Sequence, residues 1–111
     1  MTEQLTTQVI NRYCSIIASI ANNTIAKVEG VSQERGLVKY KFGLSTLKDR
    51  NVHVDIINEK AIIDMYVNVN FGYSVPEVVC NLQEKIKRSV EENTRFEVKK
   101  INVNVVNINF N

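Results

Sequence analysis

The residues that could do chemistry are few, and they are spread along the chain. His53 is the single histidine, and its acidic neighbours in the sequence are Asp55 and, further along, Asp64. One imidazole and two carboxylates form a weak ligand set, because zinc sites combine several histidine or cysteine side chains. We therefore expect no metal site and no cofactor.

The two cysteines, Cys14 and Cys80, offer a nucleophile without a matching base. A thiol nucleophile needs a base within hydrogen-bonding distance. The strand parity of His53 turns its ring to the polar face of a sheet, whereas Cys80 belongs to a helix on the opposite side. The cysteines form neither a C-x-x-C pair nor a disulfide framework, which indicates reduced thiols and a cytoplasmic protein. We expect no enzymatic activity.

Phosphate and nucleic-acid recognition have little support in the glycines or in the charge. The four glycines, which form no P-loop, dinucleotide-binding or GXXG arrangement, are Gly30, Gly36, Gly43 and Gly72. Fourteen basic and twelve acidic residues leave a net charge of only +2. The segment 35–50 is locally basic, so binding of nucleic acid or a small ligand through this segment is the alternative function.

The stretch 61–71 shows which elements position these residues. Apolar and polar side chains alternate along it with a period of two, which predicts a strand with one buried face. Together with Val52–Ile57 and a turn at residues 58–60, it predicts an antiparallel hairpin. Gly72 allows the chain to turn, and Pro76 fits the first turn of a following helix.

Two amphipathic helices and a last strand complete the pattern. Apolar residues recur at three- and four-residue steps from Val9 to Val28 and from Val78 to Val90. The last strand is predicted at 98–110. Its apolar phase changes at the pair of valines 105 and 106, which indicates a β-bulge or a strand that leaves the sheet for another contact.

The order helix, strand, strand, helix, strand predicts an α+β fold. We expect a small mixed sheet of three to four strands, with both helices on one face and the strands 61–71 and 98–110 parallel. Residues 1–8 are assigned to a disordered N-terminus and residues 9–111 to a single domain. Segment 32–51 is interpreted as a solvated loop, with a short strand at 37–42 as the alternative.

The sheet face away from the helices is predicted to be polar. A solvated surface is the simpler interpretation, and a docking surface for another protein is the functional one. The polar residues on this face are His53, Asp55, Asp64, Tyr66, Asn68, Asn70, Lys100, Asn102 and Asn104. The candidate interaction residues are Tyr66, Asn68, Asn70, Asn102, Asn104, Val106, Ile108 and Phe110.

No apolar run approaches the ~20 residues that cross a bilayer, and the first residues lack the features of a signal peptide. We therefore expect no direct insertion into a membrane.

Three motifs carry a family resemblance. They are VEGV at 28–31, FGYSVPEV at 71–78, and INVNV at 101–105, which is similar to the V-x-V-x-V ending of the family with isoleucine at the first position. With them the chain resembles, over residues 10–107, the alkaline shock protein family of Gram-positive bacteria, the envelope stress response family. Phe71 stands where a tyrosine is common, and segment 32–36 lacks the glycine-rich run that often follows VEGV.

The resemblance implies a non-catalytic protein of cell-envelope homeostasis. Family members are thought to self-associate and to reach the membrane through an integral membrane partner, and none has established catalytic residues. We therefore expect a cytoplasmic interaction module, peripheral at the membrane through its partner, that forms homo-oligomers or docks on a membrane anchor and does not bind nucleic acid.

Overall fold

The computed structural model describes residues 7–33 and 52–110. Its elements are α1 (Thr7–Ile25), β1 (Val31–Gln33), β2 (Val52–Ile57), β3 (Lys60–Asn70), α2 (Val75–Asn93) and β4 (Glu97–Asn109). Helix α1 begins two residues before the predicted start of the domain. The suggested strand at 37–42 and most of the predicted loop lie outside the described residues.

Strand β3 lies at the centre of a mixed sheet. Along one edge it pairs antiparallel with β1, where Val31 lies opposite Val69, and with β2, where Val52 lies opposite Met65. Along its other edge it pairs parallel with β4. The predicted hairpin and the predicted parallel pairing are therefore confirmed.

The prediction that all of segment 32–51 is a loop is wrong at its beginning, because Ser32 and Gln33 belong to strand β1. The strand has three residues, too few to show an alternation in the sequence. Its pairing depends on the free edge that β3 offers beyond the end of β2, which only the assembled sheet provides.

Both helices pack on the same face of the sheet, as predicted. The core consists of side chains that alternate along the strands and recur at helical spacing along α1 and α2. Its completely buried members are Ile17, Ala21, Ala61, Ile63, Met65, Val67, Val69, Leu82, Ile86 and Val90. A single apolar layer between the helices and the sheet thus holds all the major elements together.

Two irregularities set the geometry of the strands. Asn58 and Glu59 both have positive φ, 53° and 64°, as a two-residue type I′ hairpin turn requires. In β4 the register shifts twice against β3, at Lys99 and at Val106. The second shift confirms the β-bulge that the change of phase at this valine predicts.

The junction between β3 and α2 contacts the turn between α1 and β1. Gly72 has a φ of +97° and allows the turn, and Ser74 takes the N-cap position without making a side-chain capping bond. The ring of Tyr73 lies against Gly30, 2.7 Å from the place where a Cβ on this glycine would be. The glycine motifs at 28–31 and 71–78 therefore meet in space.

Candidate interaction surface

The face of the sheet opposite the helices, here called the open face, is mostly polar along β2, β3 and β4, with Ile57 and Ile62 as apolar members. All its polar side chains are exposed or half-buried, in agreement with the sequence pattern. They are His53, Asp55, Asp64, Tyr66, Asn68, Asn70, Lys100, Asn102, Asn104, Asn107 and Asn109. The predicted asparagine-rich face is therefore present in the structure, with two further asparagines.

Hydrogen bonds between side chains of different strands hold several of these residues in place. The amide of Asn102 donates to the Asp64 carboxylate at 2.6 Å. The amide of Asn109 donates to the side-chain oxygen of Asn70 at 3.3 Å and to the Ser32 hydroxyl at 3.1 Å. These bonds pre-organise the open face, because they restrict the rotamers of side chains that remain accessible.

Asn68 and Asn104 lie between these two groups of bonds. The amide of Asn104 donates to the backbone carbonyl of Met65 at 3.1 Å. The side-chain oxygen of Asn68 is buried and has no hydrogen-bond partner among the described residues, although Asn68 lies opposite Ser32 and Asn107 in the register. Such an oxygen lowers stability unless a donor reaches it.

The side chains with acid–base or nucleophilic character are dispersed. His53 contacts Asp55 at 3.3 Å in an exposed pair, and it lies opposite Asp64 in the register. No group of three histidine, cysteine or acidic side chains in the described residues could hold a metal ion. Cys80 is exposed on α2, the helix that packs against the sheet face opposite to His53.

Cys14 on α1 is half-buried. Its burial raises the pKa of the thiol, and the negative charge of Asp55 raises it further. A raised pKa leaves less thiolate at neutral pH, which makes Cys14 a poor nucleophile.

The apolar residues at the end of β4 take different positions. Ile108 packs against the core, whereas Val106 occupies the bulge and is 42% exposed. Phe110 is 74% exposed and contacts Phe71, 68% exposed, at a distance of 5.1 Å between ring centroids. We call these two rings the aromatic pair, a second candidate surface that lies just beyond the last paired residues of β3 and β4.

Three members of these two candidate surfaces are absent from the candidate interaction residues that the sequence predicts. Asn107 and Asn109 follow the change of phase at Val106, so the bulge itself places them on the open face. That signal is present in the sequence. Phe71 carries no comparable signal, because its contact with Phe110 depends on the parallel pairing that brings the ends of β3 and β4 together.

The predicted basic segment 35–50 lies outside the described residues. The alternative function that depends on it therefore has no structural description.

The fold and this surface define a small α+β domain with one open, polar sheet face. The chain belongs to the alkaline shock protein 23 family, whose described function is cell envelope-related, and the family model matches residues 2–110. The resemblance in the sequence motifs is thereby confirmed.

Two relatives come from Bacillus subtilis (strain 168). The chain is 32% identical over 99 residues to the uncharacterized protein YqhY, with 86% of this chain and 73% of the relative covered. It is 28% identical over 95 residues to the uncharacterized protein YloU, with 81% and 79% covered. No solved structure shows a significant match.

Neither described helix combines the length and the apolar character needed to span a membrane.

Proposed function

We propose that this chain is a non-enzymatic interaction module in the cytoplasm that acts in cell-envelope homeostasis by self-associating or by docking on a membrane-anchored partner. The open face and the aromatic pair are the proposed contact surfaces. The observation that carries the proposal is the row of accessible, pre-organised asparagine side chains on a sheet face that neither described helix covers.

Asparagine side chains suit such a surface because each amide both donates and accepts hydrogen bonds without carrying charge. The bonds of Asn102 and Asn109 to neighbouring strands reduce the side-chain entropy that binding would otherwise remove. Tyr66 is 45% exposed among them, and tyrosine is enriched at protein interfaces.

The aromatic pair adds an apolar contribution at the adjoining ends of β3 and β4. Phe71 and Phe110 are both more than two-thirds exposed. Burial of apolar surface stabilises an association by about 25 cal/mol per Å². A partner that covered both rings would therefore gain binding free energy that the isolated chain does not use.

The absence of an enzymatic step belongs to the same proposal. His53 contacts a carboxylate, Cys80 lies on a helix across the sheet from it, and the pKa of Cys14 is raised. These positions support an interaction role, because nucleophilic catalysis brings a thiol and its base together.

A charge placed on the open face tests the proposal. In cells, a fluorescent fusion of the Tyr66→Lys variant should lose membrane recruitment, because the new ammonium group would be desolvated at the interface with the partner. The control is Glu84→Lys on the exposed side of α2, which introduces the same side chain away from the surface. Both variants should keep the melting temperature of the parent within a few degrees.

The proposal is wrong if the unmodified chain is a monomer by light scattering at every concentration and is also spread evenly through the cytoplasm. It is also wrong if both lysine variants behave alike.

The alternative, binding of nucleic acid or a small ligand through segment 35–50, stays a prediction. Fluorescence anisotropy with labelled RNA and DNA tests its nucleic-acid form, since binding through lysine and arginine weakens steeply with salt. No binding at low salt would remove that form from consideration.

A further inference from the structure

Strand β4 is an edge strand, since β3 is the one strand that pairs with it among the described residues. It is 13 residues long. Residues 101–110 include neither a charged residue nor a proline. Charges, prolines, short lengths and β-bulges are the usual features that prevent an edge strand from pairing with another chain. Residues 101–105, which lie between the two bulges of β4, carry none of these features.

Three side-chain bonds identify the backbone groups that face outward from this edge. Val98 N–H donates to the Glu91 carboxylate at 2.9 Å, and the Ile101 carbonyl accepts from the Gln83 amide at 3.0 Å. Further along, Ile108 N–H donates to the side-chain oxygen of Asn107 at 2.9 Å. Side chains thus cap backbone groups towards both ends of the edge.

The middle of the edge has no cap from the described residues. The N–H and C=O groups of successive residues point alternately to the two edges of a strand. Each bulge inserts one extra residue, after which the alternation continues. Val103 and Val105 therefore face outward between the capped positions, and no side chain of the described residues caps them. The carbonyl of Asn109 faces the other way and accepts from Phe71 N–H at 2.6 Å, as this assignment requires.

The outward residues have a symmetric spacing. They are Val98, Ile101, Val103, Val105 and Ile108, which are separated by three, two, two and three residues. The pattern around Val103 is the same in both chain directions. A twofold interface needs this property, because each copy presents its own edge in the opposite direction.

We propose that a second copy of this chain adds its β4 antiparallel to β4, about a twofold axis at Val103. This inference rests on the self-association part of the proposed function. Val103 would pair with its own copy and Ile101 with Val105. The Ile101 carbonyl can keep its bond from Gln83 and accept another, because a carbonyl oxygen has two lone pairs.

The side chains on both faces fit this register. On the open face, Asn102 of one copy lies opposite Asn104 of the other, so amide faces amide. On the helix face, the half-buried Ile101 and Val105 lie opposite each other and form an apolar pair.

The charges favour the antiparallel orientation. Lys99 and Lys100 would lie opposite the uncharged Asn107 and Val106 of the other copy. A parallel arrangement would instead place each lysine beside its equivalent, which is unfavourable for residues directly opposite. The paired stretch is short, so we expect a weak, concentration-dependent dimer.

Two double variants test the register by sedimentation velocity over a range of concentrations. The double variant Asn102→Lys/Asn104→Lys places two pairs of like charges across the twofold axis and should weaken dimerisation roughly tenfold. High salt should partly restore its dimerisation, because salt screens the repulsion. Asn102→Lys with Asn104→Asp sets two pairs of opposite charges and should dimerise at least as well as the parent at low salt. Melting temperatures check that both variants fold.

Hydrogen exchange of the unmodified chain provides a test without any substitution. The backbone N–H groups of Ile101, Val103 and Val105 should exchange more slowly as the concentration rises. The N–H groups of Val98 and Ile108, which side chains already cap, should change less.

Each other outcome overturns the inference. Equal dimerisation of the two double variants, or unchanged exchange at Val103 while the mass increases, would place self-association elsewhere on the chain. A monomer at every concentration would overturn the inference together with the self-association part of the proposed function. Membrane recruitment of the Tyr66→Lys variant would then still test docking on a membrane-anchored partner. If the edge of β4 binds a peptide of another protein but never a second copy of this chain, the choice of partner is wrong.

Discussion

The contact between Gly30 and Tyr73 joins two turns that are distant in the sequence. Gly30 has a φ of +89°, and its carbonyl accepts a bond from Asn70 N–H at 2.8 Å. Both the backbone conformation and the ring of Tyr73 therefore require a residue without a Cβ at this position.

A pair of glycine substitutions separates these two requirements. Gly72→Ala should lower the free energy of unfolding by about 1–2 kcal/mol, because its φ of +97° is strained for alanine while no atom lies within 4 Å of the new Cβ. Gly30→Ala should cost roughly 1–3 kcal/mol more, because its Cβ would overlap the Tyr73 ring. Urea unfolding measures both, and equal losses would show that the ring moves aside freely.

The two thiols should differ in reactivity. Cys80 is exposed and should react first with a thiol reagent at neutral pH. Burial, and secondarily Asp55, raise the pKa of Cys14, so its thiolate forms only at a higher pH than that of an ordinary cysteine. The reaction rate of Cys14 should therefore continue to rise at a pH where an unperturbed thiol has already reached its limit.

The variant Cys80→Ser allows Cys14 to be followed alone against pH, with a small model thiol as the reference. A rate profile of Cys14 that levels off at the same pH as that of the model thiol would contradict this expectation.

Among the elements, β4 is the strand whose irregularities decide which side chains face the partner surface. Val67 lies opposite Val105 and Asn68 opposite Asn107, so Val106 is the extra residue of the bulge. Without a bulge, the asparagines beyond it would alternate onto the core face.

A deletion of Val106 should be well tolerated. It removes the bulge and leaves every later residue opposite its present partner, so we expect a loss of no more than about 1 kcal/mol in the free energy of unfolding.

The matched control is a deletion of Val103, which also shortens β4 by one residue. It moves Asn104 to the core-face position opposite Met65, and this should cost about 2–4 kcal/mol through the lost valine and the buried amide. Chemical denaturation compares the two deletions. Similar losses would mean that Val106 is needed for more than the register.

At the scale of the whole molecule, one apolar layer connects both helices with all the described strands. The dimensions of the molecule are 53 × 33 × 17 Å, and the short dimension leaves room for one layer of helices on one sheet. The open face therefore cannot be covered without a second molecule or a part of the chain outside the described residues.

We expect unfolding to be a single cooperative transition, because α1 and α2 share the core formed with β3. The far-ultraviolet circular dichroism of the helices and the near-ultraviolet signal of the tyrosines should therefore change at the same denaturant concentration. Separate midpoints would indicate that one helix detaches before the sheet unfolds.

The fold could be predicted largely from local patterns. The alternation in β3 and the helical spacing in α1 and α2 indicate the elements, their buried sides and hence the polar open face. The bulge is visible as a change of phase, and it also places Asn107 and Asn109. The residues of β1 show no pattern, because a strand of three residues is defined by its partner and not by its own sequence.

The amino-acid sequence by itself determined which side of each element is apolar, because burial selects side chains at the period of the helix or the strand. Only the tertiary structure decided which side chains meet: Tyr73 with Gly30, Phe71 with Phe110, and the caps that leave Val103 and Val105 open on the edge of β4. These contacts join residues far apart in the chain. They follow from the register and packing of the whole sheet, which no local period contains.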